Sequence, residues 1–161
     1  MPVKLPPLEK IFEAWSAVAS GRVTLDPSAT PESGEALVRS SNHDKTYHVA
    51  WRDGVFTSDD NASYWQGYPG YPVGAVLMKL GLVPFDPLAA RPFANVDWNA
   101  ANKKAKGDYA RALATIEDEL GLDESAREEA DQAAKTALEA LSALDIVIKR
   151  PARKRSGNAA R

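Results

Sequence analysis

The stretch VFTSDDNASYWQGYPGYPVGAVLMKLG, residues 55–81, decides how the rest of the chain is read. It opens on a β-like run, VFTS, passes the acidic pair Asp59 and Asp60, crosses an aromatic and proline-rich turn, and ends in an apolar helical pattern. The pattern predicts a short helix from about Pro72 to a stop at Gly81, with Val73, Val76, Leu77 and Leu80 on its buried side. Gly74 allows another backbone to come close. The question is what holds the corner between strand and helix.

Upstream, TYHVAW (46–51) and VFTS are joined through Arg52, Asp53 and Gly54. An Asp-Gly pair between two β-rich runs predicts a tight hairpin, because both turn positions require φ > 0. Tyr47, Val49 and Trp51 then point one way and His48, Ala50 and Arg52 the other, as expected of an antiparallel sheet with one face against the first helix. RVTL (22–25) and EALVRSS (35–41) supply further strands, separated by the loop DPSATPESG (26–34). Ahead of them, LEKIFEAWSAVASG (8–21) spaces Leu8, Ile11, Phe12, Trp15, Val18 and Ala19 along one stripe, predicting a first helix with Trp15 as a core anchor.

Downstream of a proline-rich loop (83–97), two longer helices are expected, about 98–120 and 124–144. Asp97 or Asn95 caps the first; Asp123 or the box Ser125-x-x-Glu128 opens the second. Ala110, Leu113, Ala114, Ile116, Glu117 and Leu120 would face Ala130, Ala133, Ala134, Ala137, Leu138 and Leu141 in a closely packed antiparallel hairpin. The predicted class is α+β: an N-terminal helix, a small antiparallel sheet of three to four strands, a short helix, and a C-terminal antiparallel helical hairpin. The division runs 1–97 for the α+β core, 98–148 for the hairpin on or beside it, and 149–161 for a basic, disordered tail.

Composition narrows the function. The 161 residues include no cysteine, which removes disulfides, thiol nucleophiles, Fe–S clusters and thiolate zinc sites. No signal-like stretch or membrane span is present, so a soluble cytoplasmic protein without a membrane partner is expected. The last 13 residues carry six Lys and Arg and no acid; removing them leaves 14 bases against 22 acids, a net of about −8. A broad folded face for nucleic acid does not suit such a body. The cluster Lys149, Arg150, Arg153, Lys154 and Arg155 suits non-specific attraction to it.

Residues 8–82 resemble a SWIM domain, a small zinc-finger module. The likeness lies in the core YHVAWRDGVFTSDD, the spacer NASYWQGYP and the helix-opening GYPVGAVLMKLG. That family's ligands, Cys-x-Cys and then Cys-x-His, fall here on Ser58 and Asp60 and on Gly70 and Pro72. Such a set cannot make a tetrahedral zinc site, and neither a metal nor any other cofactor is expected. The resemblance implies a metal-free binding module for nucleic acid or a protein partner. In it, Pro69, Pro72, Gly67 and Gly70 would brace the corner, with Tyr64, Trp65, Tyr68 and Tyr71 covering it. The same aromatics, Trp65, Tyr68 and Tyr71, read alternatively as an exposed platform for bases or a peptide.

Two further readings compete. The alanine-rich face from Ala126 to Leu141 would let the chain self-associate as a structural or assembly protein. His48 with Asp59 or Asp60 would make a small hydrolase or nuclease, with Ser58, Ser63 or water as nucleophile. No G-x-S-x-G, H-E-x-x-H, H-R-D or P-loop pattern accompanies that pair, and no catalytic residue is assigned. Asp59-Asp60-Asn61 lacks the glycine and bidentate acid of a calcium loop. Lys103, Lys104, Lys106 and Arg111, with Tyr109 among them, read as a solvated helix face or a track along a phosphate backbone.

Overall fold

The computed structural model describes residues 3–151. It is α+β. The order is α1 (Glu9–Ala19), β1 (Val23–Leu25), β2 (Ser33–Arg39), β3 (Thr46–Arg52), β4 (Val55–Ser58), a π-helical turn (Ala62–Gln66) and α2 (Tyr71–Lys79). Then follow α3 (Pro87–Ala90), a 3-10 turn (Arg91–Phe93), α4 (Trp98–Lys104), α5 (Tyr109–Glu119), α6 (Glu124–Ser142) and β5 (Val147–Lys149).

The sheet has five strands in the order β1-β2-β3-β4-β5, which corrects the expectation of three to four antiparallel ones. The first four form an antiparallel meander, and β5 joins β4 in parallel, pairing Val55 with Val147 and Thr57 with Lys149. Lys149 therefore belongs to a strand rather than to a tail. The Asp-Gly turn forms as expected: Asp53 and Gly54 have φ of 49° and 83°, and Arg52 pairs with Val55 across it.

One sheet face is covered. Val38, Val49, Trp51 and Phe56 are buried there, with the Trp51 and Phe56 rings stacked at 5.7 Å. α2 is the helix that comes closest to the strands, and α1 lies mainly against α2, so the expected contact of sheet with α1 is replaced by a deeper stack. The reason is composition. Both helices bury an unbroken run, Ile11 to Ala17 and Pro72 to Met78. That of α2 is wholly apolar and suits the middle of a domain, whereas that of α1 includes Glu13 and Ser16. α1 turns its Phe12 and Trp15 onto Phe93 at centroid distances of 5.1 and 6.2 Å. Truncating either side chain to alanine removes about 3–5 kcal/mol.

The helical half differs from expectation. Lys106 and Gly107, at φ of 55° and 83°, break the first long helix, and Gly107 N–H bonds back to Asn102 O at 3.0 Å. Asp108 caps the new helix by accepting from Arg111 N at 3.1 Å. Asp97 and Asp123 cap α4 and α6, accepting from Ala100 N and Ala126 N. α6 packs more closely on α3 and α1 than on α5, so Ala130, Ala134, Ala137 and Leu141 are buried in a continuous core that runs, among the described residues, from Val3 to Ile146. On α5 the buried residues are Ala112 and Ile116, while Ala110 and Ala114 are exposed. A buried Ser16 ties these parts together: its hydroxyl donates to Phe93 O and accepts from Trp98 Nε1 at 2.7 Å.

Candidate functional site

The corner between β4 and α2 is held by a relay of hydrogen bonds. Ser58 Oγ donates to Asp60 Oδ1; Ser63 N donates to Asp60 Oδ2 at 3.0 Å; Gly70 N donates to Ser63 Oγ at 3.0 Å. All three side chains are buried, or in the glycine's case backbone alone. The carboxylate is the hub, since an ionised acceptor bonded to N–H and O–H groups forms the stronger kind of hydrogen bond. Gly70 also lies so near it that a Cβ there would sit 2.0 Å from Asp60 Oδ2. Pro69 and Pro72 are buried beside it, but the clip itself is polar. Among the described residues, no group of three or more His, Cys, Asp or Glu side chains gathers as for a metal ion.

What the clip presents is a five-residue π-helical turn, a rare conformation that recurs at functional sites. It sets Tyr64 and Trp65 edge to face, with ring centres 4.6 Å apart at 68°. Trp65 is 64% exposed, whereas Trp15, Trp51 and Trp98 are all buried. Arg150, just past β5, donates from Nε to Tyr64 O at 3.0 Å and lays its guanidinium 5.1 Å from the Tyr64 ring centre and 5.3 Å from that of Trp65. On the other flank Lys4 donates to Gln66 O at 2.9 Å and stands 5.8 Å from the Tyr68 ring centre.

Of the aromatics singled out in the sequence, Trp65 is exposed and Tyr68 half-buried on this surface. Tyr71 turns inward, edge-on to Tyr47 at 6.1 Å. Burial pushes the Tyr71 phenol well above its ordinary range, Tyr47 and Glu13 add to the shift, and Arg22 opposes it. Arg22 is itself buried, donating to Ser20 Oγ at 2.8 Å and Arg39 O at 2.6 Å. Behind it, Glu13 accepts from Lys10 at 2.9 Å and from Asn102 at 3.3 Å. Burial alone would lower the Lys10 pKa, but the Glu13 carboxylate outweighs it and the net shift is upward. Lys10 also lies 4.2 Å from the Tyr109 ring centre, joining α1 to α5.

Of the basic cluster, Lys149 and Arg150 sit in or beside β5, while Arg153, Lys154 and Arg155 lie outside the described residues. His48 meets neither expected aspartate through its ring: Nε2 pairs with Glu35 at 2.6 Å, and Asp59 instead accepts the His48 backbone N–H at 2.9 Å. Asp60, Ser58 and Ser63 are buried in the corner clip. Lys104 and Arg111 flank a cleft of about 640 Å³ between α4 and α5 rather than one continuous helix face. Lys4 and Arg22 escaped the sequence reading, since neither lies in a motif. No helix among the described residues is long and apolar enough to cross a membrane.

Residues 3–147 match the family described as Uncharacterised conserved protein UCP014422. The chain belongs to that family. The match takes in the meander, the corner, all six α-helices and the start of β5, so the corner clip and Trp65 lie inside the family's span. No curated protein and no solved structure is significantly similar to the chain.

Proposed function

We propose that the chain is a non-enzymatic nucleic-acid-binding module whose contact surface is the Trp65 corner together with the basic segment beginning at Lys149. One observation carries this reading. Arg150 rests on Tyr64 and Trp65, so the basic run of the C-terminal sequence starts at the aromatic pair instead of elsewhere on the molecule. Aromatic faces stack bases and Lys or Arg neutralises phosphates, and single-strand binders combine the two. Lys4, from the opposite end of the sequence, adds a third cation to the same patch.

The corner itself is proposed to be a metal-free counterpart of the SWIM corner. Three of the four positions that correspond to zinc ligands, Ser58, Asp60 and Gly70, meet in one relay through Ser63. A buried carboxylate with its hydrogen bonds fixes a strand end to a helix start, the structural task a zinc ion performs in such a module. Support for this rests on position and role, since Pro72 brings no donor.

Electrophoretic mobility shift tests the binding. With Lys4 and the cluster Lys149, Arg150, Arg153, Lys154 and Arg155 engaged, the affinity for a single strand falls with a log–log salt slope of about −4.2, or about 300-fold between ~50 mM and ~200 mM salt. Absence of any shift at the lower salt removes the nucleic-acid reading.

A further inference from the structure

Building on the nucleic-acid reading, we propose that the Trp65 corner takes a single-stranded polynucleotide, stacking one unpaired base on the indole in place of the Arg150 guanidinium. The asymmetry among the tryptophans motivates this. Three of the four are sunk in the core, and the fourth stands out at 64% exposure on a π-helical turn. The turn is anchored from behind, by Ser63 N on Asp60 and by Gly70 N on Ser63, so the ring pair is carried on a fixed base and not on a loose loop. Tyr64 packs against Trp65 at a steep angle, and the indole still keeps most of its surface toward solvent.

A duplex keeps its base faces inside its own stack, so an indole gains little from it; an unpaired base offers both faces. The present occupant of the ring surface is Arg150, held by one hydrogen bond to Tyr64 O. Guanidinium and base compete for the same kind of surface, and a displaced Arg150 has a phosphate to move to. Lys4, bound to Gln66 O at the end of the turn, leaves a second cation beside the stacked base for a neighbouring phosphate. Stacking is tolerant of sequence, and nothing at the corner is arranged to read base edges, so the preference is for strandedness and not for sequence.

The test uses the full chain and three ligands: a labelled mixed-sequence DNA single strand of about a dozen nucleotides, the duplex of the same sequence, and heparin as a polyanion without bases. Fluorescence anisotropy gives the affinity, and tryptophan emission reports stacking. The expected result is at least about tenfold preference for the single strand, with quenching on that ligand alone. Trp65→Ala loses about 5- to 150-fold on the single strand and leaves duplex and heparin binding unchanged, while Trp65→Phe keeps most of it. Equal binding of all three ligands, unaltered by Trp65→Ala, overturns the stacking proposal and leaves a purely electrostatic contact. Failure of every ligand to bind at low salt overturns the nucleic-acid reading beneath it. Thermal unfolding of both variants within a few degrees of the parent excludes misfolding as the cause.

Discussion

Replacing Gly70 by alanine tests the corner clip directly. Gly70 has φ −69° and ψ 173°, a conformation open to any residue. On backbone grounds alone, Gly70→Ala should therefore stabilise the fold by about 0.4–1 kcal/mol through the unfolded chain. The structure reverses the sign. The new methyl would stand 2.0 Å from Asp60 Oδ2 and 2.8 Å from its Cγ, so the carboxylate has to leave its position. It cannot swing freely, because it is buried and bound to Ser58 Oγ and Ser63 N. Losing two hydrogen bonds to a charged group costs about 3–6 kcal/mol, and partial relaxation of the turn brings the expected net to about 2–4 kcal/mol. Urea unfolding followed by circular dichroism measures it. The decisive measurement is the double-mutant cycle with Asp60→Ala. Without the carboxylate the methyl has room, so Gly70→Ala should cost less than about 1 kcal/mol there, with a coupling of at least 1–2 kcal/mol. Additive costs would mean the clip is not what fixes the corner.

Three other outcomes follow from buried polar groups. Ser16→Ala leaves Trp98 Nε1–H without its partner and the Phe93 carbonyl with Val96 N–H as donor, at about 1–3 kcal/mol in the same unfolding assay. Trp15 Nε1 is buried with no partner among the described residues; Trp15→Phe therefore loses no hydrogen bond there, and Trp98→Phe, which breaks one, should cost at least about 1 kcal/mol more. The folded chain holds the Tyr71 and Lys10 protons more tightly than the unfolded chain does. Both contributions are complete below the unfolded values near pH ~10 and are lost as pH rises beyond them. Stability measured by equilibrium unfolding should fall above pH ~10, and Tyr71→Phe should flatten part of that slope; an identical slope in the variant would discount Tyr71.

Local signals were legible and distant ones were not. The stripe of Ile11, Phe12 and Trp15, the Asp53-Gly54 turn and the apolar run from Val73 each announced an element because neighbours in sequence decide them. The break between α4 and α5 was also written locally, in Gly107 followed by a capping Asp108, but continuous amphipathic spacing on both sides masked it. β5 has no such signal. Val147 to Lys149 becomes a strand only because β4 offers an open edge far upstream. Asp60 was read as a partner for His48 and Ser63 as a nucleophile; their bond to each other was hidden because it depends on the π-helical turn that brings Ser63 round. The aromatic and basic groups of the candidate surface were each legible. Their meeting through Arg150 was not, since it depends on that same parallel strand.

The late partner of β4 has a consequence for how the protein is made. Val55 pairs with Val147, so on the ribosome the outer edge of the meander emerges long before the strand that closes it has been translated. At ~5–20 residues per second, that edge stays bare for on the order of 5–20 s. For that interval the nascent chain exposes the groups that invite pairing with a neighbour, on a strand kept only four residues long. The final closing stroke, when it comes, delivers Arg150 to Tyr64 and Trp65, so the proposed contact surface is assembled in the last moments of folding.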